Sequence, residues 1–525
     1  MRGRTFLPLI LFASSIPGQT LTRADLLKGM GTGWPTYNGD YSGRRYSSLD
    51  QVNASNVHTL SLAWVTRFTA DYGGVQIKST PLMVNGILYF TSPNSVWAAD
   101  ARTGRQIWHY QYPRNTGSTI GNRGVGMYGD WLFFESPDSH LISLDAKTGK
   151  ERWRVQIADP KLDYTSTVAP VIIGNHVLVG IGGDHLDNPG FLESRDPETG
   201  ALQWKWWTTP RKGEPGIETW PSEQASIHGT GQTWIPGVYD PELNLYYIGT
   251  GNPNPVLAGQ GRKGDNLYTC SIVALNPDNG KLVWYFQPSP HDTHDWDNVE
   301  TPVIFDTEID GKPRKLLAQA ARNGYFFVLD RTNGKQLVTA PFDPDLNWSK
   351  GVNEKGQPIP DQAKEPKTDG ALVNPSSGGA TNWPPPSFDP QTGLFYVSST
   401  PSYSVYYLTD TSTQPEGYGG RDSGVWVESA LVALDPKTGK IRWRHVYPQE
   451  SYAFAGVLTT AGKLLFTGDP SSNVIAFDPV SGKPLWHATL GSDVSNGPMT
   501  YELDGRQYLV VGAGDTLYAF TVSPK

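Results

Sequence analysis

One pattern recurs seven times along the 525-residue chain: a short apolar run precedes Asp or Asn, with Gly four positions later and usually Trp eight positions later. The copies read DARTGRQIW from 100, DAKTGKERW from 145, DPETGALQW from 196, NPDNGKLVW from 276, DRTNGKQLV from 330, DPKTGKIRW from 435 and DPVSGKPLW from 478. Gly supplies the positive φ that a tight turn between strands requires. Each copy therefore predicts a strand–turn–strand unit.

The copies start 45, 51, 80, 54, 105 and 43 residues apart. Four-stranded propeller blades recur about every 40–50 residues, so the spacing predicts a β-propeller with insertions in the two long gaps. The longest gap holds a polar, proline-rich stretch over 342–379, predicted to be an inserted loop that covers the central pocket. Trp64 lacks a turn motif upstream, and the C-terminal strands lack a Trp strand downstream. Joined, they predict an eighth blade that closes the ring.

The predicted fold is therefore an all-β, eight-bladed β-propeller of four-stranded antiparallel blades. A Trp on each outer strand is expected to wedge between adjacent blades, which makes the recurring Trp structural and directs the search for a site to residues that break the repeat. With 57 Gly and 42 Pro, little helix is expected, and one short helix is predicted at Arg23–Lys28.

Charge and cysteine content exclude several classes of function. The formal net charge of −8 comes without a basic run, which disfavours nucleic acid and anionic membranes as partners. The single cysteine, Cys270, excludes an intramolecular disulfide, a CxxCH haem attachment and a cysteine-rich zinc site within this sequence.

The N-terminus carries two arginines, an apolar run over 6–13 and then small residues, which is typical of a secretory signal peptide. We therefore expect 1–20 to be removed and 21–525 to form a propeller in the periplasm. An irregular N-terminus is the alternative, because Pro8 interrupts the run. The run is too short to span a bilayer.

Over about 34–520 the chain resembles the pyrroloquinoline quinone (PQQ)-dependent dehydrogenases, a family of alcohol and glucose quinoproteins. The segments that carry the resemblance, in the family's order, are WPTYNGDYSGRRYSSLDQVNASNV at 34, NRG at 122, TVAP at 167, YDPELNLYYIGTGNPNP at 239, GDN at 264, HDTHDWD at 291, RNG at 322, TNWPPPSFDPQTGLFYV at 381 and GVLTTAG at 456. The resemblance implies a tricarboxylated quinone, a calcium or lanthanide ion on it, and hydride transfer from a substrate hydroxyl.

The HDTHDWD segment concentrates three carboxylates, Asp292, Asp295 and Asp297, between blades. Close carboxylates raise one another's pKa unless a cation lies among them, which points to a hard metal with oxygen ligands. A solvated polar loop is the alternative. By resemblance Asp295 is the catalytic base, and Asp297 stands where lanthanide-using members carry an additional carboxylate. A similar pair also occurs in glucose-type members that use calcium or magnesium.

The remaining metal ligands are only partly matched. Asn252 in GTGNPNP matches the family's amide ligand, with an Asn in a turn as the alternative. The position of the expected Glu falls on His185, and the neighbouring Asp184 is the residue that can supply the oxygen instead.

The cofactor cradle is also assigned by resemblance. Arg123 matches the arginine that holds a quinone carboxylate, and Arg322 matches a catalytic arginine at the reactive quinone oxygen. Guanidinium suits both roles, because it is always charged and can bind a carboxylate through two parallel hydrogen bonds. Trp234 matches the stacking floor. Solvent-facing arginines and an ordinary core Trp are the alternatives. Further expected cofactor contacts are Thr167, Gly182, Gly183, Asn382 and Trp383.

Three departures bear on cofactor and substrate. Lys78 replaces an acidic residue at the cofactor edge, where it is expected to pair with a quinone carboxylate. Gly117 and Ser118 stand where alcohol-type members often have a vicinal disulfide, and Phe454 replaces a frequent Trp.

The sequence thus predicts a PQQ- and metal-dependent dehydrogenase that oxidises an alcohol or sugar hydroxyl and passes electrons to an external acceptor such as a cytochrome c. Two alternatives stay open at this point. One is a non-catalytic propeller scaffold, as in some outer-membrane assembly components; the other is a PQQ-binding protein that lacks turnover because of His185.

Overall fold

The structure, a computed structural model, describes residues 20–69, 76–113, 121–183, 187–309, 311–452 and 455–522. The predicted signal peptide therefore lies outside the described residues except for residue 20. Eight sheets each contain four consecutively paired antiparallel strands, and we number them as blades 1–8. The eight-bladed prediction is confirmed.

The blades are listed from the first strand to the last. Blades 1–4 consist of Leu82–Val84, Ile87–Ser92, Ser95–Asp100 and Gln106–Gln111; Gly126–Tyr128, Trp131–Glu135, His140–Asp145 and Glu151–Gln156; Val171–Ile173, His176–Val179, Phe191–Arg195 and Leu202–Trp207; and Val238–Asp240, Leu245–Gly249, Ile272–Leu275 and Leu282–Phe286. Blades 5–8 consist of Val303–Ile309, Lys312–Ala320, Tyr325–Asp330 and Lys335–Pro341; Ser387–Asp389, Leu394–Ser399, Ala430–Leu434 and Ile441–Val446; Leu458–Thr460, Leu464–Gly468, Asn473–Phe477 and Pro484–Thr489; and Met499–Leu503, Arg506–Ala513, Thr516–Thr521 and Ser61–Arg67.

Blade 8 is assembled from both ends of the chain. Its outer strand Ser61–Arg67 pairs antiparallel with Thr516–Thr521, with Ser61 opposite Thr521. Blade 7 gains a fifth strand, Tyr46–Ser47, which runs parallel to its first strand. The pairing in blade 8 confirms the prediction from the Trp64 strand, whereas the added strand of blade 7 was not predicted.

Helix is scarce among the described residues. The α-helices are Arg23–Lys28, as predicted, and Glu223–Ile227. Single turns of 3₁₀-helix lie at Val57–Thr59, Pro160–Leu162, Ile217–Thr219, Gly259–Gly261 and Gln362–Lys364.

The turn motif joins neighbouring blades through its Asp, its Gly and the Trp of the preceding blade. In blade 2 the Asp145 carboxylate accepts the Thr148 backbone N–H at 2.8 Å, and Gly149 takes φ +68°. Trp108 of blade 1 donates its indole N–H to the Ala146 carbonyl at 3.0 Å. A Cβ on Gly149 would lie 2.6 Å from the Trp108 ring, so only Gly fits.

The same bond recurs at 2.7–3.2 Å from Trp64 to Ala101, Trp204 to Pro277, Trp284 to Arg331 and Trp443 to Pro479. The core lies between the sheets: in blade 1 the second strand is buried throughout, whereas the outer strand, which carries the Trp, is half-exposed. The structural role expected of the recurring Trp is therefore confirmed at these positions.

Residues 342–379, which we call the insertion, contain more structure than the loop that the sequence predicted. Strands Ser349–Val352 and Pro358–Pro360 form a hairpin. Ala371–Val373 pairs with Ser402–Leu408, which pairs in turn with Gly420–Val427. The insertion is therefore tied to a second inserted sheet, between the second and third strands of blade 6.

Candidate active site

The Asp297 carboxylate connects residues from three separate segments of blades 4 and 5. It accepts the Asn252 backbone N–H at 2.6 Å and the Trp234 indole N–H at 2.7 Å. Arg322 Nη2 lies 3.2 Å from the same carboxylate. Asn252 and Asp297 are buried and Trp234 is partly buried. The structure brings these four residues, which were predicted from separate motifs, close together.

Asp295 lies on the same segment, two residues before Asp297. Its backbone has φ +67°, a conformation that non-Gly residues adopt rarely and that concentrates at functional sites. Its carbonyl oxygen accepts Arg322 Nη1–H at 3.0 Å. One guanidinium thus contacts both candidate aspartates.

Asp292 has a different environment from the other two aspartates of the motif. Its Oδ2 accepts the backbone N–H groups of His294 and Trp296, at 3.3 and 3.1 Å. The His294 ring stacks on Trp296 with centroids 4.3 Å apart, and its Nε2 contacts the Lys364 carbonyl at 3.0 Å. Asp292 and His294 therefore shape the loop, whereas Asp297 contacts Arg322 through its carboxylate and Asp295 through its backbone carbonyl.

The side-chain amide oxygen of Asn252 accepts no hydrogen bond from the described residues. Its side chain is fully buried and donates only to the Pro253 carbonyl, at 3.1 Å, while its Oδ1 has no partner among the described residues. A buried amide oxygen is normally paired, so one left open suits an added cation. In the described part of the chain no three His, Cys, Asp or Glu side chains cluster as metal ligands. The third expected oxygen, on Asp184, and His185 lie outside the described residues.

Two arginines lie over the partly buried ring of Trp234. The Arg123 and Arg322 guanidinium carbons lie 4.8 and 5.5 Å from its centroid. The Arg123 guanidinium carbon also lies 5.3 Å from the centroid of the Trp383 ring, and the Lys78 ammonium nitrogen lies 5.9 Å from the same centroid. Three cations therefore surround two indole rings.

Two of these three cations, Arg123 and Lys78, have no carboxylate partner among the described residues. Burial, together with the charge of Arg322, lowers the pKa of Arg123 to about 10 although Tyr37 opposes the shift. Within the described residues Arg123 has no carboxylate partner, and its Nε makes no hydrogen bond. Burial and then the charge of Arg123 lower the pKa of Lys78 to about 8. An anionic ligand would relieve both groups, and a tricarboxylated aromatic quinone fits this donor set.

A cavity of about 280 Å³ opens beside these groups. The described residues that line it are Gln76, Lys78, Asn382, Trp383, Tyr452, Asp493, Val494 and Ser495. Asn382 Oδ1 accepts the Trp383 backbone N–H at 2.8 Å, which fixes the relation of the two side chains. None of the described lining residues belongs to the insertion, which instead packs against the segment that carries Asp295.

Thr167 and the two glycines lie against neighbouring backbone. The Thr167 carbonyl accepts the backbone N–H and Nη1–H of Arg123, at 3.1 and 3.3 Å. Gly182 pairs with Thr165, and a Cβ there would lie 3.1 Å from Thr165 Oγ1. Gly183 has φ +108°. Gly117, Ser118 and Phe454 lie outside the described residues.

Sequence reasoning missed Glu300. Its buried carboxylate lies 3.5 Å from Arg322 Nε, and burial raises the pKa of Glu300 to about 8 although Arg322 opposes the shift. The signal was present as the carboxylate three residues after Asp297, but only the fold shows that it turns toward Arg322.

Comparison with known proteins identifies the family. Residues 34–364 match the glucose/ethanol/alcohol dehydrogenase β-propeller domain. The chain is 36% identical over 510 residues to the quinoprotein alcohol dehydrogenase PedH of Pseudomonas putida, covering 90% of this chain and 84% of that protein. The chain belongs to the PQQ-dependent quinoprotein alcohol dehydrogenase family.

Other family members agree in sequence and in structure. The lanthanide-dependent methanol dehydrogenase of Methylorubrum extorquens is 33% identical over 90% of this chain and 86% of its own. The quinohemoprotein alcohol dehydrogenase ADHIIG of Pseudomonas putida superposes with a TM-score of 0.89 at 31% identity, over 98% of this chain and 84% of that chain. A europium-containing methanol dehydrogenase superposes with a TM-score of 0.85 at 29% identity, over 95% of this chain and all of that chain.

Membership of this family makes the chain an oxidoreductase and argues against the alternative of a non-catalytic scaffold. Residues 427–523 match the outer membrane protein assembly factor BamB, but this match does not reach the site residues between 78 and 383. Separately, no helix in the described ranges is long and apolar enough to cross a membrane.

Proposed function

We propose that this protein is a metal-assisted PQQ alcohol dehydrogenase of the periplasm that passes electrons to an external acceptor. The observation that carries the proposal is the convergence of Arg123, Arg322 and Lys78 on the rings of Trp234 and Trp383. Arg123 and Lys78 have no carboxylate partner among the described residues, and such cations, together with flat aromatic faces, suit a flat polyanion.

The cofactor would be held by groups from several blades. Trp234 offers its face, Arg123 and Lys78 offer charge to the carboxylates, and Thr167, Asn382 and Trp383 flank them. Gly182 and Gly183 complete the list of proposed contacts. When bound, PQQ would supply the acceptor for the hydride of the alcohol carbon, which carries both electrons of the oxidation.

The metal would be held by Asn252 Oδ1, Asp297 and Asp295, with Asp184 as a further proposed ligand. When bound, a hard cation polarises oxygen atoms in its first shell. The Asp297 carboxylate already accepts two N–H donors and faces Arg322, so these contacts fix its orientation toward Asn252. Calcium and a lanthanide are both compatible with an all-oxygen set.

Asp295 is the proposed catalytic base, which takes the hydroxyl proton of the substrate. Arg322 holds the backbone of Asp295 through a 3.0 Å bond to its carbonyl, so the base keeps its position when the substrate enters. The Arg322 guanidinium also provides fixed N–H donors where negative charge develops on oxygen. These two residues are the proposed catalytic pair.

A primary alcohol is the proposed substrate class, because the named relatives are alcohol, ethanol, 1-butanol and methanol dehydrogenases. A sugar hydroxyl is the second class to test. A cytochrome c is the proposed acceptor, since one relative is named 1-butanol dehydrogenase (cytochrome c). The signal-like residues 1–20 support the periplasm.

The test is reconstitution of the purified chain with PQQ and either Ca²⁺ or La³⁺, followed by dye-linked turnover on ethanol, 1-butanol and glucose. Alcohol turnover with one metal would support the proposal and identify the ion. A change in quinone absorbance without turnover would indicate a binding protein. If neither an absorbance change nor turnover is observed, the scaffold alternative would be supported instead.

A further inference from the structure

The insertion contacts both segments that carry the proposed catalytic residues. On one side, Trp296 Nε1 donates to the Ser376 carbonyl at 3.0 Å, and His294 Nε2 contacts the Lys364 carbonyl at 3.0 Å. On the other side, Arg322 Nη1 lies 3.5 Å from the Ser377 carbonyl. The insertion therefore links two segments, one in the connection between blades 4 and 5 and one in a turn within blade 5.

Trp348 contacts both segments through one side chain. Its ring packs on Trp296, with centroids 4.7 Å apart, and Trp296 lies between Asp295 and Asp297 in the chain. Its indole N–H donates at 2.8 Å to the carbonyl of Asn323, the residue after Arg322. Trp348 is only 4% exposed, so the contact is rigidly packed on all sides.

Trp348 differs from the blade tryptophans in the residues that it contacts. A blade Trp such as Trp108 contacts the turn of the next blade, whereas Trp348 contacts both segments of the candidate site. Tyr325 meets its ring edge-on at 6.0 Å and anchors it to blade 5. Rotating or shrinking this indole would change the separation between the aspartate segment and the arginine turn.

We propose that Trp348 is a positioning residue, which sets the geometry of Asp295 relative to Arg322 through Trp296 and Asn323. The inference rests on the proposed function, since it concerns the proposed base and its arginine. It assigns to the insertion a role as a brace beside the site. Because reactions are sensitive to displacements of about 1 Å, the brace acts on turnover more than on binding.

Three variants test the brace. Trp348→Leu removes both contacts, and Trp348→Phe keeps a ring against Trp296 but leaves the Asn323 carbonyl without its donor. Trp426→Phe is the matched control. Trp426 is a partly buried indole of the second inserted sheet, and its ring packs on Tyr403 with centroids 6.0 Å apart. Among the described residues it makes no hydrogen bond or ring contact with either segment.

We expect kcat to fall on the order of 100-fold in Trp348→Leu and about tenfold in Trp348→Phe, with KM and the PQQ dissociation constant within about twofold of wild type. The deuterium isotope effect on a 1,1-dideuterated alcohol should rise as the chemical step becomes slower. An unchanged kcat, an equal loss in Trp426→Phe, or a loss confined to KM or PQQ binding would overturn the proposal.

Hydrogen–deuterium exchange on the full chain, with and without PQQ and metal, gives a readout independent of turnover. Exchange in both 291–298 and 320–324 should rise in Trp348→Leu and stay at the wild-type level in Trp426→Phe. A rise in one segment only would refute the brace. If wild type neither binds PQQ nor turns over, the proposed function fails, and the brace is then judged on exchange alone.

Discussion

The blade rim and the candidate site both use tryptophan, but the partners of the indole differ. At the rim between blades, Trp108 donates to a backbone carbonyl and its ring covers a glycine, so its indole N–H is satisfied within the next turn. At the site, Trp234 donates to the Asp297 carboxylate and its face lies under two guanidinium groups. The Trp108 contact is complete by itself, whereas the site keeps an open amide oxygen on Asn252, and Arg123 has no carboxylate partner among the described residues.

This difference separates stability from activity. Substitutions at the rim should reduce stability and spare the chemistry, because they disturb contacts between blades. Substitutions at the site should reduce binding or turnover and spare stability, or even raise it, because open polar groups destabilise the empty protein. The following experiments test that separation.

The largest effect is expected from Asp295→Ala. Loss of a general base lowers turnover by about 10²–10⁴-fold, while PQQ binding and the thermal midpoint stay close to wild type. Dye-linked initial rates and thermal unfolding measure both. Asp292→Asn, which keeps an acceptor oxygen for the loop N–H groups, is the control and should lose less than about tenfold. Substantial turnover in Asp295→Ala would remove Asp295 as the base.

Arg123→Met should change affinity and stability in opposite directions. Loss of a charge-assisted contact to a carboxylate lowers PQQ affinity by about 10–100-fold. Without cofactor, the variant should unfold at a higher temperature, because a buried cation that lacks a carboxylate partner is replaced by an apolar side chain. Quinone absorbance titration and thermal unfolding of the empty protein test the two signs. A lower midpoint would show that Arg123 stabilises the fold itself.

At the rim, Gly482→Ala should reduce stability and leave kcat unchanged. Gly482 and Gly393 both have φ +69°, but a Cβ at 482 would lie 2.5 Å from the Trp443 ring, whereas a Cβ at 393 meets nothing within 4 Å. Positive φ costs Ala about 1–2 kcal/mol at both positions, and the clash adds about 1–3 kcal/mol at 482 alone. Equal thermal midpoints for the two variants would contradict the role of the Trp–Gly contact.

The smallest effect is expected from the pH dependence of cofactor binding. Burial, with the charge of Arg123, lowers the pKa of Lys78 to about 8, so its positive charge is lost as pH rises through that value. PQQ affinity should therefore fall about 3–10-fold between pH 6.5 and 9. Lys78→Met should bind more weakly at pH 6.5 and show a flatter profile. An identical slope in both proteins would place the titration elsewhere.

The fold was predictable where local chemistry repeats. Asp, Gly and Trp at fixed spacing specify one turn and one contact to the next blade, so the blade number followed from the sequence. The short strands of the insertion were not predictable. Ala371–Val373, for example, is too short to show an alternating pattern of apolar and polar residues, and it pairs with residues more than 30 positions away.

The site was predictable in part. The motif residues Asn252, Asp297 and Arg322 were each recognisable, but their convergence depends on how three connections meet. Composition alone could not separate Asp292, whose carboxylate accepts backbone N–H groups of the loop, from Asp295, whose backbone carbonyl accepts from Arg322. Glu300 was missed because only packing reveals its approach to Arg322.

The closure of blade 8 by strands 460 residues apart has a consequence for biogenesis. During synthesis the Ser61–Arg67 strand emerges early, yet its partner Thr516–Thr521 is among the last described residues to appear. Until then the first strand is an unpaired edge, open to mispairing with any other strand. Such non-local contacts also slow folding. The edge of Ser61–Arg67 therefore stays exposed to aggregation until Thr516–Thr521 has been made, and protection of that edge favours the yield of active protein.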